Sequence, residues 1–179
     1  MPTSALSPHA PLRTGAATAR PAHAASQTVT RSATLDDFDA VNELHERCSL
    51  QTRFARYLAA RRSLSLSEFV HLTRPDRSLT WVTHPKDEPD KIIATMNLVR
   101  TAEAGAAELG IMIEDAWQSR GLGTSLVQYA RAQARGFGCS SIVVLTSSDN
   151  VRVLKIMRSL GAARLAVQGP TVDFTVCVG

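Results

Sequence analysis

An apolar run at residues 108–113 is followed by the loop Gln118-Ser119-Arg120-Gly121-Leu122-Gly123-Thr124, an amphipathic stretch, and a second apolar run at 141–145. This succession restricts the fold more than any other part of the chain. Strand, loop, helix and strand in that order make a βαβ unit, whose strands lie parallel in one sheet with a right-handed crossover. The run Ser141-Ile142-Val143-Val144-Leu145 is continuous, as in a strand buried on both faces. On the helix, Leu122, Leu126, Ala130 and Ala134 recur at every fourth position with Val127 beside them, and Gly136 or Gly138 ends it.

The loop has the chemistry of an anion site. Gly121 and Gly123 remove side chains where backbone must approach a ligand, and the first N–H groups of the following helix have no intrahelical acceptor. With the positive end of the helix dipole they favour a pyrophosphate. A dinucleotide fingerprint needs a third glycine where this chain has Leu126, and a phosphate-binding Walker loop needs a lysine that does not follow Gly123. The spacing that fits is Q/R-x-x-G-x-G/A, here Gln118, Gly121 and Gly123.

Upstream, a short strand is expected at 27–31 and a helix from Leu35 to about Cys48, with Ser32 or Thr34 as its cap. A second helical region at 50–72 breaks near 63–65, where Ser65 or Ser67 caps the second half. Its arginines, Arg53, Arg56, Arg61 and Arg62, read first as a solvated face, the alternative being contact with an acidic surface or with cofactor phosphates. Strands at 79–83 and 92–99 flank the charged turn 85–90 and form an antiparallel hairpin. Gly110, inside the run at 108–113, suggests a bulge or a close backbone contact. Downstream, Ser147 to Asn150 cap a helix carrying Val153, Met157 and Leu160, and strands at 163–167 and 172–176 turn about Gly169-Pro170.

The 179 residues suffice for one domain with a substantial core. A net charge of +4 with no dense basic patch excludes nothing anionic and gives no sign of a nucleic-acid surface. Cys48, Cys139 and Cys177 form neither a disulfide framework nor a metal motif, which suits a reducing, cytoplasmic location without a metal. No apolar run reaches membrane-spanning length. Residues 1–26 lack acids, carry Pro2, Pro8, Pro11 and Pro21, and are expected to be a disordered tail ahead of a domain at 27–179.

In order, the two helical regions, the hairpin, the strand at 108–113, the glycine loop, the buried strand and the Asn-led helix resemble the GNAT superfamily of acetyl-CoA-dependent N-acetyltransferases. The segment Arg53-Phe54-Ala55-Arg56-Tyr57, with Leu64-Ser65 and Ala107-Glu108-Leu109-Gly110, is similar to the acetyltransferase domain of bacterial protein-lysine acetyltransferases. The resemblance implies an α/β (α+β) fold, a mixed, mostly antiparallel twisted sheet of six to seven strands with about four helices and a splayed parallel pair at its centre. It implies acetyl-CoA as co-substrate, held by the backbone of Gln118, Ser119, Arg120, Gly121, Leu122, Gly123 and Thr124. Ile111, Met112 and Ile113 would present the strand that pairs with the pantetheine arm, a bulge at 109–111 would aim an N–H at the thioester oxygen, and Asn150 would bond the arm.

An acceptor lysine of pKa about 10.4 must lose its proton before attack, a mismatch of roughly 4–5 kcal/mol at pH 7. Glu108, opening the strand beside the thioester with partial burial to raise its pKa, is the candidate base; Glu103, Glu114 and Asp115 compete, the last two on a solvated loop. Many members have a Tyr where this chain has Met157, a position that reads here as core. His45, His71 and His84 are expected on surfaces or at helix caps, and Trp81 and Trp117 in packing roles. The acceptor is expected to be a protein lysine, the alternatives being a small amine or a non-catalytic acyl-CoA sensor. The assembly is expected to be a monomer or homodimer, with neither nucleic acid nor membrane as partner.

Overall fold

The computed structural model describes residues 24–178. Residues 1–23 of the expected tail lie outside them, but its last three residues do not belong to a tail. Ala24–Gln27 form a 3-10 turn in which the Ala24 side chain is buried, and the Ala24 N–H donates to the Arg120 carbonyl at 3.2 Å. An alanine with no polar atoms to desolvate can close this part of the core.

Among the described residues, seven strands form one sheet in the order β1-β2-β3-β4-β5-β7-β6. They are β1 (Thr28–Ser32), β2 (Ser78–Pro85), β3 (Ala94–Arg100), β4 (Ala106–Ile113), β5 (Ser141–Ser147), β6 (Ala163–Gln168) and β7 (Thr171–Cys177). Every neighbouring pair is antiparallel except β4 and β5. The helices are α1 (Phe38–Arg47), α2 (Leu50–Tyr57), α3 (Leu66–Leu72), α4 (Leu122–Gly136) and α5 (Val151–Ser159). Among the described residues five rather than four result, because Leu58, at φ 52°, ends α2 in the left-handed conformation well before residue 63.

The sheet has a core on each face. One holds Leu122, Leu126, Ala130 and Ala134 of α4, Met157 of α5 and Phe174 of β7 against Ala107 and Leu109. The other holds Val41, Leu44 and Phe69 from α1 and α3 against Val82 and Met112. Since side chains alternate along a strand, Ala107, Leu109, Ile111 and Ile113 serve the first core, while Glu108, Gly110 and Met112 face α1–α3. Ser65 caps α3 in a reciprocal box with Glu68, its hydroxyl taking the Glu68 N–H at 3.3 Å and its own N–H going to the Glu68 carboxylate at 2.8 Å.

Candidate active site

The parallel pair is short. Ala106, Ala107 and Glu108 pair with Ser141, Ile142 and Val143, and beyond Glu108 the strands part. β5 stays paired with β7 along its whole length, so it is β4 and β5 that open into a fork. Glu114 sends its N–H to the Ile93 carbonyl on the β3 side at 2.9 Å. By alternation, Ile111 and Ile113 present their backbone groups to the fork, while Met112 turns its own toward β3. β3 and β4 run in unbroken register from Ala94↔Ile113 to Arg100↔Ala107, so no bulge exists at 109–111. Gly110 serves a close contact instead: a Cβ there would fall on the guanidinium of Arg56.

The glycine loop closes the open end of the fork. Gly121, at φ 85°, is the residue before α4, a conformation that costs an L side chain about 1–2 kcal/mol. Ser119 is also left-handed at φ 59° without being glycine, a strain of the kind that functional loops hold. The Ser125 N–H donates to the Gly121 carbonyl at 3.1 Å, so the N–H groups of Leu122, Gly123 and Thr124 precede the first helical bond. A side chain at Gly123 would crowd Ile156 of α5 and Ile113 of β4 at 3.3 and 3.5 Å, which keeps loop, helix and strand end together.

Gln118 braces this arrangement with its side chain. Its Nε2 donates to the Ile113 carbonyl at 2.8 Å and to the Thr52 hydroxyl at 2.9 Å, and its Oε1 accepts from Arg152 Nη1 at 2.6 Å. The Ile113 carbonyl is thereby occupied, leaving its N–H and both groups of Ile111 for a ligand in the fork. Asn150 caps α5, its Oδ1 taking the Val153 N–H at 3.3 Å. Thr146, on β5 beyond the last pair with β4, has a buried hydroxyl without a partner. Free backbone along β4, an orphaned hydroxyl on β5 and helix-terminal donors at the loop suit an extended chain of amides ending in phosphates.

Glu108 is the last β4 residue paired with β5, and it lies at the base of the fork on the α2 side. It is exposed rather than partly buried, because α2 covers Gly110 but stops short of it. Two of the three competing carboxylates are committed elsewhere, while Glu103 lies exposed in the turn before β4. Glu114 accepts from Arg47 Nε at 3.0 Å, and Asp115 takes the Ser49 N–H and hydroxyl at 2.8 Å and the Thr52 hydroxyl at 2.9 Å. Burial pushes the Asp115 carboxyl up, but these hydrogen bonds outweigh it and hold it below the usual range. Both residues tie α1 and α2 to the loop, Glu114 half-buried and Asp115 exposed to solvent as expected.

Two further expectations fail, for the arginine face and for two of the three histidines, mostly because a partner lies on another element. Arg53 donates to the His45 carbonyl at 3.1 Å, Arg56 turns in over Gly110, and Arg61 pairs with Glu68, so of the four arginines Arg62 is the one left exposed. His45 is fully buried between the Val41 carbonyl and the Tyr57 hydroxyl, and His84 is buried with Nδ1 on the Pro85 carbonyl, whereas His71 is exposed as expected. Burial pushes the Cys48 thiol up to about 12, so it is a packing residue. Trp117 sits half-buried just before the loop with the Arg120 guanidinium 5.7 Å from its ring.

A forked parallel strand pair, closed by a glycine loop with free helix-terminal N–H groups and bordered by the Glu108 carboxylate, has the form of a site for an activated group on a long, phosphate-ended carrier. The chain belongs to the acetyltransferase (GNAT) family, whose model matches residues 38–162. It is an acetyl-CoA-dependent N-acetyltransferase. Its fold is similar to that of the GNAT domain of S. lividans PAT, with TM-score 0.74 and 21% identity over 83% of this chain and 89% of that one. It is also similar to spermidine N-acetyltransferase from Vibrio cholerae, solved with CoA and spermine, with TM-score 0.68 and 14% identity over 85% and 96%. A third similar structure is yncA from Salmonella typhimurium with its cofactor acetyl-CoA, at TM-score 0.68 and 16% identity over 86% and 95%. No curated protein matches the chain.

Proposed function

We propose that the protein transfers acetyl from acetyl-CoA to the side-chain amine of protein lysines. The observation that carries this reading is the open acceptor face beside Glu108. Along β5 and β7 burial alternates strictly, with Ile142, Val144, Val172, Phe174 and Val176 in the core and Val143, Leu145, Thr171, Asp173 and Thr175 on a face that is at least partly exposed. Leu145 on that face and Leu50 and Phe54 on α2 are exposed apolar side chains beside the fork. A shallow surface with apolar edges suits a polypeptide better than an enclosed pocket would. The spermidine enzyme among the structural neighbours keeps a small amine as the alternative acceptor.

In this reading the backbone of Gln118 to Thr124 holds the pyrophosphate, Ile111 and Ile113 pair with the pantetheine arm, and the Asn150 Nδ2 group bonds it. Bound acetyl-CoA supplies a thioester carbonyl open to attack. Glu108 accepts the proton that the acceptor ammonium must lose, so that the amine attacks neutral. With β4 unbulged, the backbone donors of the fork rather than a distorted turn face the charge that grows on the carbonyl oxygen. Met157 is buried in the core, so the departing thiolate takes its proton from water or the acceptor side. The three cysteines are free, as suits the reducing cytoplasm.

Acetyl-CoA consumption against lysine peptides, folded lysine-bearing proteins and small amines, with mass detection of the product, tests the reading. Glu108→Gln is expected to lower kcat by about 10²–10⁴-fold while acetyl-CoA still binds. Equal rates in the variant and the parent remove Glu108 as base, and turnover of small amines alone removes the lysine assignment.

A further inference from the structure

The strand face that carries Glu108 also carries a cation without a counter-ion. Arg56 lays its guanidinium over Gly110, the next residue on that face, and the missing Cβ of the glycine is what admits it. One hydrogen bond holds the group, from Nη2 to Asn97 Oδ1 at 3.2 Å. Asn97 is fixed in turn, its Nδ2 donating to the Thr80 hydroxyl at 3.0 Å and that hydroxyl donating to the Leu72 carbonyl. The Tyr57 ring centre lies 4.9 Å from the guanidinium carbon.

What this network leaves out is an anion. A guanidinium has five N–H donors in a planar fork shaped for a carboxylate. Here Nε is buried without a partner, and none of the ion pairs among the described residues includes Arg56. Arg53, one turn earlier, also has a buried Nε without a partner and donates to a neutral carbonyl. Arg61 is neutralised by Glu68. Glu108 is near enough for its charge to favour the ionised guanidinium, but it forms no ion pair with it. A polar network that spends Asn97, Thr80 and a glycine to hold an unneutralised cation beside a transfer site does more than pack α2 onto β4, which an apolar side chain would do at lower cost.

We propose that Arg56 reads the acceptor, selecting amines that carry a carboxylate close to the amine to be acetylated and rejecting polycations. The inference rests on the assignment of the fork as the transfer site. The carboxylate has two sources, an acidic side chain next to a target lysine or the α-carboxylate of a free amino acid. Either would meet the unused N–H groups of Arg56 while the amine lies toward Glu108. A polyamine would bring further positive charge against the same guanidinium, a juxtaposition that discriminates between partners.

The test measures kcat/KM on four acceptors, a lysine peptide flanked by glutamates, the same peptide flanked by lysines, free glutamate and spermidine. The parent protein is compared with Arg56→Gln and with Asn97→Asp, which leaves Arg56 in place but sets a carboxylate against it. The parent is expected to favour the glutamate-flanked over the lysine-flanked peptide by about tenfold or more, with spermidine poorest. Both variants are expected to bring that ratio close to one, and agreement between them separates lost charge from lost packing. A ratio near one in the parent, spermidine as its best acceptor, or a ratio that survives in folded Asn97→Asp overturns the proposal. Acetylation of free glutamate but of neither peptide overturns the lysine reading and leaves the role of Arg56 standing, whereas equal use of both peptides does the reverse.

Discussion

At the scale of single residues, Gln118 does more than its place in the loop motif announces. The spacing Gln118-x-x-Gly121-x-Gly123 marks it as part of the anion cradle, yet its amide joins the end of β4, α2 and α5 through Ile113, Thr52 and Arg152. Truncation leaves a strand-end carbonyl and a hydroxyl without their donor, a loss of about 1–3 kcal/mol where such groups are buried. Gln118→Ala is therefore expected to raise the KM for acetyl-CoA more than it lowers kcat, because the brace sets the fork and takes no part in proton transfer. Steady-state kinetics with acetyl-CoA as the varied substrate decide this; a fall in kcat alone would place Gln118 in the chemistry instead. The sequence could mark the position but not the role, since Thr52 stands 66 residues before it and Arg152 34 after. The same holds for Gly110, whose reason is a side chain on another element.

At the scale of elements, local chemistry was largely sufficient. Ser65 caps α3, Asn150 caps α5, the fourth-residue repeat buries one face of α4, and every expected strand is present within a few residues of its reading. What escaped is backbone conformation without a residue signature, namely Leu58 and Ser119 in left-handed geometry where glycine would have given warning. Gly121 is the case where residue and geometry agree, and it yields a prediction for α4. Gly121→Ala, forced to φ 85°, is expected to cost about 1–2 kcal/mol and to weaken acetyl-CoA binding by tenfold or more by calorimetry, as the helix N-terminus shifts off its anion. Gly136→Ala, at the other end of the same helix with open space around its Cβ, is the control, expected to leave binding unchanged and to add up to about 1 kcal/mol of stability. Equal losses of affinity in the two variants would mean that α4 responds as a whole and that Gly121 has no special part.

At the scale of the whole molecule, the two cores differ in what they bury, and one of them responds to pH. The core under α4 and α5 is mainly apolar, with the Thr146 hydroxyl buried on the same face. Beside the core under α1–α3 lies His45, fully buried, with Nδ1 donating to the Val41 carbonyl at 2.7 Å and Nε2 accepting from the Tyr57 hydroxyl at 2.6 Å, which fixes a neutral ring. Burial pushes its pKa below the ordinary value, and Arg56, Arg61 and Arg53 add to this against the pull of the Val41 carbonyl. Helical spacing from Val41 and Leu44 already sets His45 on the inner face of α1; what the sequence does not show is its partner Tyr57, on another helix. With the native pKa depressed, the unfolded chain takes up a proton as pH falls through about 6.5 and the native protein does not, so stability drops in that window and levels off below the native pKa. Asp37 has its pKa lowered by the Arg31 hydrogen bond, and Glu68 is brought to about 2 by its bonds to Ser65 and Arg61; their stabilisation is lost only as pH falls below the ordinary carboxylate range, a separate window. Thermal melts of the parent are therefore expected to fall between about pH 7.5 and 5.5, by about 2–4 °C for each kcal/mol. His45→Gln should melt lower at neutral pH yet lose less over the same interval. Parallel curves for the two proteins would show that His45 titrates alike in the native and unfolded states and remove it as the source of the pH dependence.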